Sequence, residues 1–300
     1  MIIQSPEEVF PAKKPPWLRV KFPSQTSYFS VSSLLGRHNL NTICRSARCP
    51  NITECWSHRT ATFLILGNVC TRACAFCAVG KGTPDPPLPD EPSRVAEAAA
   101  ALKLSYVVVT SVTRDDLPDG GASHFVRTVA ALRERIPGVK VEVLIPDLEG
   151  DEEALQMILQ AGPHILGHNL ETVPRLYPLV RPQAHYERSL HLLAFAKTKG
   201  GGILTKSGLM LGLGESMEEV EGVMEDLRRA SCDLFSLGQY LQPSSRQIPV
   251  QDFIPPEIFS RFEEKGRQLG FANVASAPFV RSSYHSEEAY QKIQEVLHRQ

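Results

Sequence analysis

The chain has 300 residues, enough for one barrel-sized domain of about 200–250 residues plus extensions. Basic and acidic residues balance at 32 against 33, which excludes the strongly basic face of a nucleic-acid-binding protein. No run approaches the ~18 apolar residues of a membrane span. The start, Met1-Ile-Ile-Gln-Ser-Pro6, lacks the cationic region and apolar run of a secretory signal, so no membrane association and a cytoplasmic location are expected.

Residues 1–60 are expected to be largely irregular, because prolines at 6, 11, 15, 16 and 23 prevent long helices and break strands. Lys13, Lys14, Arg19 and Lys21 form a small basic cluster, either a solvated arm or a docking surface for an acidic protein. One short helix is predicted from Gln25 to Arg37. There follow Cys44, Cys49 and Cys55 at C-x₄-C-x₅-C spacing, then Cys70, Cys74 and Cys77 at C-x₃-C-x₂-C spacing. Six of the seven cysteines thus crowd into one stretch, and only Cys232 stands apart. In a chain without an export signal such crowding reads as metal binding rather than a disulfide framework.

From residue 61 the chain alternates. Apolar runs at 63–66, 106–112, 139–145, 164–170, 204–211 and 234–241 predict strands, with helical patterns between them. Val95, Ala98, Ala99 and Leu102 share one helix face. Phe125, Val126, Val129, Ala130 and Leu132 give another. Ser216-Met-Glu-Glu219 reads as a capping box opening a helix whose buried face is Val220, Val223, Met224 and Leu227. Gly200-Gly-Gly202 should end a helix that begins near Tyr186. Proline-rich 82–92 predicts a stiff, extended loop. Apolar strands alternating with helices argue a parallel sheet covered by helices. About six units suit a partial (β/α)6 barrel, with an open flat sheet as the competing architecture. After about 270 the alternation is expected to end, with a last helix from Ser286 to Gln300. The resulting division is 1–60, 61–270 and 271–300: an N-terminal extension with the first cysteine triple, a barrel, and a C-terminal extension.

The Cys70–Cys77 run follows the first strand, at the end where barrels place their active sites. Three thiolates can hold three irons of a [4Fe–4S] cube, since such clusters are normally fixed by four, which leaves one iron open to a small molecule. The run resembles the signature of the radical S-adenosylmethionine (SAM) enzymes. A zinc knuckle or a ferredoxin-type electron carrier is the alternative for the run alone. SAM brings a carboxylate, an ammonium, ribose hydroxyls and a sulfonium. The polar residues placed near strand ends to meet them are Thr110, Ser111, Thr113, Asn169, Glu171, Arg181 and Lys206. Phe76 either shields the cluster, touches adenine or simply packs. The second triple also lacks a fourth thiolate. Cys232 is expected at the wrong end of the sixth strand and to be buried and inert. A hydroxyl ligand, harder and more easily released on protonation, is the other option.

Both triples together with Arg281-Ser-Ser-Tyr284, Val112–Ala122 and His168–Val173 resemble the lipoyl synthase family over nearly the whole chain. The resemblance implies a radical SAM type of barrel with N- and C-terminal extensions, and two [4Fe–4S] clusters with SAM as cofactors. The Cys70, Cys74, Cys77 cluster would bind and reductively cleave SAM. Cys44, Cys49 and Cys55 would hold an auxiliary cluster acting as sulfur donor, completed by Ser283, with Ser282 its rival. Sulfur would be placed at C6 and C8 of an octanoyl group on a lipoyl-carrier domain. The implied carriers are subunits of 2-oxo-acid dehydrogenases and the glycine cleavage H protein. A low-potential donor such as ferredoxin or flavodoxin would supply electrons. Biotin synthase, the nearest rival, would need cluster cysteines on barrel strands, and none occurs between 78 and 231.

Overall fold

The computed structural model describes residues 14–19 and 25–297, so Lys13 and Lys21 of the basic cluster lie outside the described residues. Lys14 and Arg19 are exposed. The predicted first helix, α1, runs over Gln25–Arg37. Beyond it, the N-terminal stretch is more ordered than its prolines suggest. Strand β1 (Asn41–Thr42) leads into two short helices, α2 (Ile43–Ser46) and α3 (Ile52–Ser57), which carry Cys44 and Cys55. The Thr42 hydroxyl caps α2 by accepting from the Arg45 amide. Trp56 on α3 is fully buried, stacked on Tyr28 at 5.1 Å between ring centroids, with the Arg45 guanidinium 5.1 Å from its ring.

Strand β2 (Thr62–Ile65) is buried at every position, as expected for a strand covered on both faces. Two short strands, β3 (Val69–Cys70) and β4 (Gly80–Lys81), pair with each other and close the base of the second cysteine loop. Then the alternation runs through α4 (Glu91–Ala101), β5 (Tyr106–Ser111), α5 (Ala122–Arg135), β6 (Lys140–Leu144), α6 (Glu152–Gln160) and β7 (Ile165–Gly167). It continues with α7 (Tyr177–Val180), α8 (Tyr186–Lys199), β8 (Leu204–Leu211), α9 (Met217–Arg229) and β9 (Leu234–Gln239). All six expected strands are present, and α9 opens on the Ser216–Glu219 capping box. On α5 the buried face holds His124 and Thr128 beside Phe125, Val129 and Leu132, while Ala130 is exposed.

The alternation goes one unit further than expected: α10 (Pro256–Gln268) is followed by β10 (Asn273–Ser276), parallel to β9. The sheet order is β1-β2-β5-β6-β7-β8-β9-β10, with all neighbours parallel except the β1–β2 pair. No edge closes onto the other, so the six central strands form a partial (β/α)6 barrel. One core lies beneath α4, α5 and α6, around Phe63, Phe125 and Val143; a second lies beneath α8, α9 and α10, around Met224, Phe235 and Phe259. A third, smaller cluster seals the floor. There Tyr106, Val108, Ile165 and Leu234 from three strands converge on Tyr290 and Ile293 of the last helix, α11 (Ser286–Leu297). No helix among the described residues is long and apolar enough to cross a membrane.

Candidate functional site

The Cys70–Cys77 loop is pinned from several sides. The Thr71 amide and hydroxyl both donate to the Thr113 carbonyl. The Ala73 amide donates to Gln183 Oε1 at 2.7 Å and the Ala75 amide to the Val180 carbonyl at 2.9 Å. Gln247 Nε2 donates to the Cys77 carbonyl, and Lys81 Nζ to the Cys74 carbonyl. The strongest anchor is Arg72, between the first two cysteines. Its fork meets Asp115 at 2.7 and 2.8 Å, and its Nη2 reaches Asp147 Oδ1 at 2.7 Å. Such bidentate pairs fix geometry as well as charge. Burial acts to raise the Asp147 carboxyl, but the hydrogen bond and charge of Arg72 outweigh it and hold it at about 2.

Around this loop stand strand-end residues of β5 and β7. Glu171 has a left-handed backbone, φ 65°, a costly conformation for a glutamate. It is kept there by a bridge to β8: its amide donates to the Gly208 carbonyl, and its carbonyl accepts from Met210. Burial raises the Glu171 carboxyl despite the neighbouring Arg181 and the amide of Asn169. Arg181 Nη1 donates to the Asn169 and Leu170 carbonyls, and its guanidinium lies 5.3 Å from the Tyr177 ring. Thr110 is committed to the Leu144 carbonyl at 2.9 Å, and Phe76 packs against the second core.

Lys206 is not at this face. It lies near the start of β8, opposite Gly167, and pairs with Glu142 at 2.9 Å and with Ser286 Oγ at 2.8 Å. Its charge is neutralised in the barrel floor, where Glu142 also accepts from the Tyr106 hydroxyl. It is therefore corrected from a SAM contact to a floor residue. Cys232 is buried at the entry to β9 among the Thr205 and Leu234 carbonyls, its thiol pushed up to about 12 chiefly by burial.

The other triple and the C-terminal motif meet side by side. Asn51 Nδ2 donates to the Phe279 carbonyl at 2.7 Å, and the Tyr284 hydroxyl donates to Glu54 at 2.8 Å. Thr62 Oγ1 donates to Ser283 Oγ at 2.8 Å and also hydrogen-bonds Cys44. Ser283 thus stands on the Cys44 side, whereas Ser282 turns to Asn169. Half-buried Arg281 feels the charge of Cys49 from one triple and that of Glu171 from beside the other. Burial pushes up the thiols of Cys44, Cys49, Cys55, Cys74 and Cys77, with Cys55 and Cys77 each reaching about 12. All seven cysteines are free thiols, and among the described residues no group of three His, Cys, Asp or Glu side chains is gathered to hold a single metal ion.

Two buried donors are left waiting for an acceptor at these places: near Cys74 it is Arg181 Nε, and at the end of β5 it is Ser111 Oγ. Near Cys44, Trp56 Nε1 points at the thiol itself. The Arg72 amide already points at Cys70 Sγ, at 3.4 Å. Buried polar groups without partners are rare, and a bound ligand is one way to satisfy them. Sulfur-rich clusters at the two triples and a polar cofactor beside Arg181 and Ser111 fit this donor set.

The sequence pattern of the Radical SAM superfamily matches residues 64–227, and the chain belongs to that superfamily. The lipoyl synthase of Chlorobaculum parvum is 52% identical over 287 residues, covering 95% of this chain and 98% of that one. That of Caldanaerobacter subterraneus is 56% identical over 275 residues, covering 92% and 96%. Within the superfamily, the chain belongs to the lipoyl synthase family. Among solved structures, Streptococcus suis SuiB bound to S-adenosylmethionine superposes with a TM-score of 0.58 at 12% identity, covering 76% of this chain and 53% of that one. Methylornithine synthase superposes at 0.52 and 14% identity, covering 91% and 93%. Identities this low carry the fold alone.

Arg72, Asp115, Asp147, Gln183, Asn51 and Arg281 are absent from the site read in the sequence. Arg72, Arg281, Asp115 and Asn51 were within reach, since all four lie inside the motifs. Asp147 and Gln183 lie in loops, and no local pattern marks them.

Proposed function

We infer that this protein inserts two sulfur atoms, at C6 and C8, into the octanoyl group of a lipoyl-carrier domain, giving the lipoyl cofactor. The observation that carries this reading is the meeting of two cysteine triples with one serine motif in a single barrel, in a chain over half identical to lipoyl synthases. When bound, a [4Fe–4S] cluster with SAM supplies a radical able to take hydrogen from an unactivated C–H bond, and an auxiliary [4Fe–4S] cluster supplies sulfur.

Cys70, Cys74 and Cys77 hold the first cluster, and Arg72 fixes their loop against Asp115 and Asp147. Asn169 and Glu171 orient the ammonium and ribose of SAM. Arg181 sets the shape of that wall through the Asn169 and Leu170 carbonyls, and Ser111 and Thr113 stand at the end of β5 with Thr110 beneath them. Phe76 shields the loop from the second core side. Cys44, Cys49 and Cys55 hold the auxiliary cluster, and Ser283 completes it. Its hydroxyl is a ligand that protonation releases more readily than a thiol. Tyr106, Glu142, Lys206 and Tyr290 close the floor, which keeps water from a reactive site. Residues 1–60 and 271–300 act as extensions that bring the second triple to the 61–270 barrel. The carriers are octanoylated subunits of 2-oxo-acid dehydrogenases or the glycine cleavage H protein, the electron donor is a ferredoxin or flavodoxin, and the setting is the reducing cytoplasm.

Anaerobic incubation of reconstituted protein with SAM, a reductant and an octanoyl-lysyl peptide tests the reading. 5′-Deoxyadenosine and a lipoyl peptide are expected. SAM cleavage without sulfur insertion would leave the radical SAM fold intact and remove the function.

A further inference from the structure

Ser282 and Ser283 are adjacent in the chain but serve different neighbours. Ser283 Oγ accepts from Thr62, which also touches Cys44. Ser282 Oγ donates to Asn169 Oδ1 at 2.8 Å, and Asn169 Nδ2 donates to Glu171 Oε1 at 3.1 Å. A line of hydrogen bonds therefore runs from the C-terminal motif, away from Cys44, to the strand-end carboxylate beside Cys74.

We propose that Ser282 is a positioning residue for the SAM subsite, acting through Asn169 on Glu171. This deepens, and rests on, the reading that Asn169 and Glu171 face SAM. The terminal torsion of an asparagine is broad, so its amide is set by its partners. Here the two ends are fixed by a hydroxyl and a carboxylate. The space around Asn169 is also kept by glycine: a Cβ on Gly208 would lie 3.3 Å from Asn169 Oδ1 and 2.5 Å from Ser236 Oγ. Glu171 holds its left-handed turn on the far side of the amide. Ser282 is itself held from the floor. Its carbonyl accepts from Ser286 Oγ at 3.3 Å, and Ser286 accepts from Lys206 Nζ at 2.8 Å. The two serines of the motif thus divide the work, one toward each half of the site.

The test compares Ser282→Ala, Ser282→Thr, Asn169→Ala and the double variant Ser282→Ala/Asn169→Ala in reconstituted protein. Iron per chain is measured, together with kcat and KM for SAM in 5′-deoxyadenosine formation with octanoyl-lysyl peptide. Ser282→Ala should raise KM for SAM about tenfold, the effect of one lost half-buried hydrogen bond, with a smaller change in kcat and wild-type iron. Ser282→Thr keeps the hydroxyl and should restore KM. Asn169→Ala should raise KM at least as much, and the double variant should be no worse than Asn169→Ala alone, because the two act in series. Loss of auxiliary iron in Ser282→Ala would overturn the proposal by making Ser282 a ligand. A wild-type KM in Ser282→Ala, with KM raised in Asn169→Ala, would overturn it while leaving the SAM subsite in place. A wild-type KM in Asn169→Ala would overturn the subsite reading and the proposal together.

Discussion

His168 shows how far a single side chain is committed to the scaffold. It is buried, with Nδ1 at 2.9 Å from the Ile145 carbonyl and Nε2 at 2.9 Å from Ser189 Oγ. A carbonyl only accepts, so Nδ1 carries the proton and Nε2 accepts from Ser189. Burial first, and the charge of Arg181 second, hold the ring down at about 4. An unfolded histidine titrates near 6.5. Between those values the unfolded chain binds a proton that the folded chain does not, so stability rises with pH across this window. Acidification from about pH 6.5 to 4 should therefore remove up to about 3 kcal/mol through this group. Denaturant unfolding at pH 4.5 and 7.5 should show a smaller pH difference for His168→Gln than for wild type. An unchanged difference would mean that the ring is not held neutral. The motif containing His168 was legible in the sequence, but its role was not. Ile145 and Ser189 lie on either side of it in the chain, and only the fold brings them to its two nitrogens.

Among the elements, the six central strands were legible because strands covered on both faces are continuous apolar runs. Strand β10 was not: Asn273-Val-Ala-Ser276 is short, lies at the sheet edge and is half-buried at each position. The short helices α2 and α3 span too few residues to show a period. Lys206 was read at the start of its strand and still grouped with the SAM-facing residues. Its position along β8 says little about depth, which is set by the register opposite Gly167. Its ion pair with Glu142 is buried, at 7% and 1% side-chain exposure. Breaking a buried pair from one side leaves the other charge uncompensated. Lys206→Met should therefore destabilise the fold by about 3–5 kcal/mol in denaturant unfolding, and Lys206→Met/Glu142→Leu should recover much of it. A Lys206→Met protein of wild-type stability but weakened SAM binding would return Lys206 to the SAM site.

At the scale of the whole molecule, the cysteine spacings made the ligand sets visible because each triple is local in the chain. Their joining was not visible, because Asn51–Phe279, Thr62–Ser283 and Tyr284–Glu54 link residues more than two hundred positions apart. These contacts set the N-terminal triple against the C-terminal motif, while Arg72 ties the other triple to loops after β5 and β6. On the proposed function the molecule has two separable halves, one generating the radical and one giving up sulfur. Counting 5′-deoxyadenosine and lipoyl peptide made by Ser283→Ala beside wild type separates them. Ser283→Ala should still form 5′-deoxyadenosine, within a few-fold of wild type, and form no lipoyl peptide. Lipoyl product at the wild-type rate, or loss of both products together, would contradict this division.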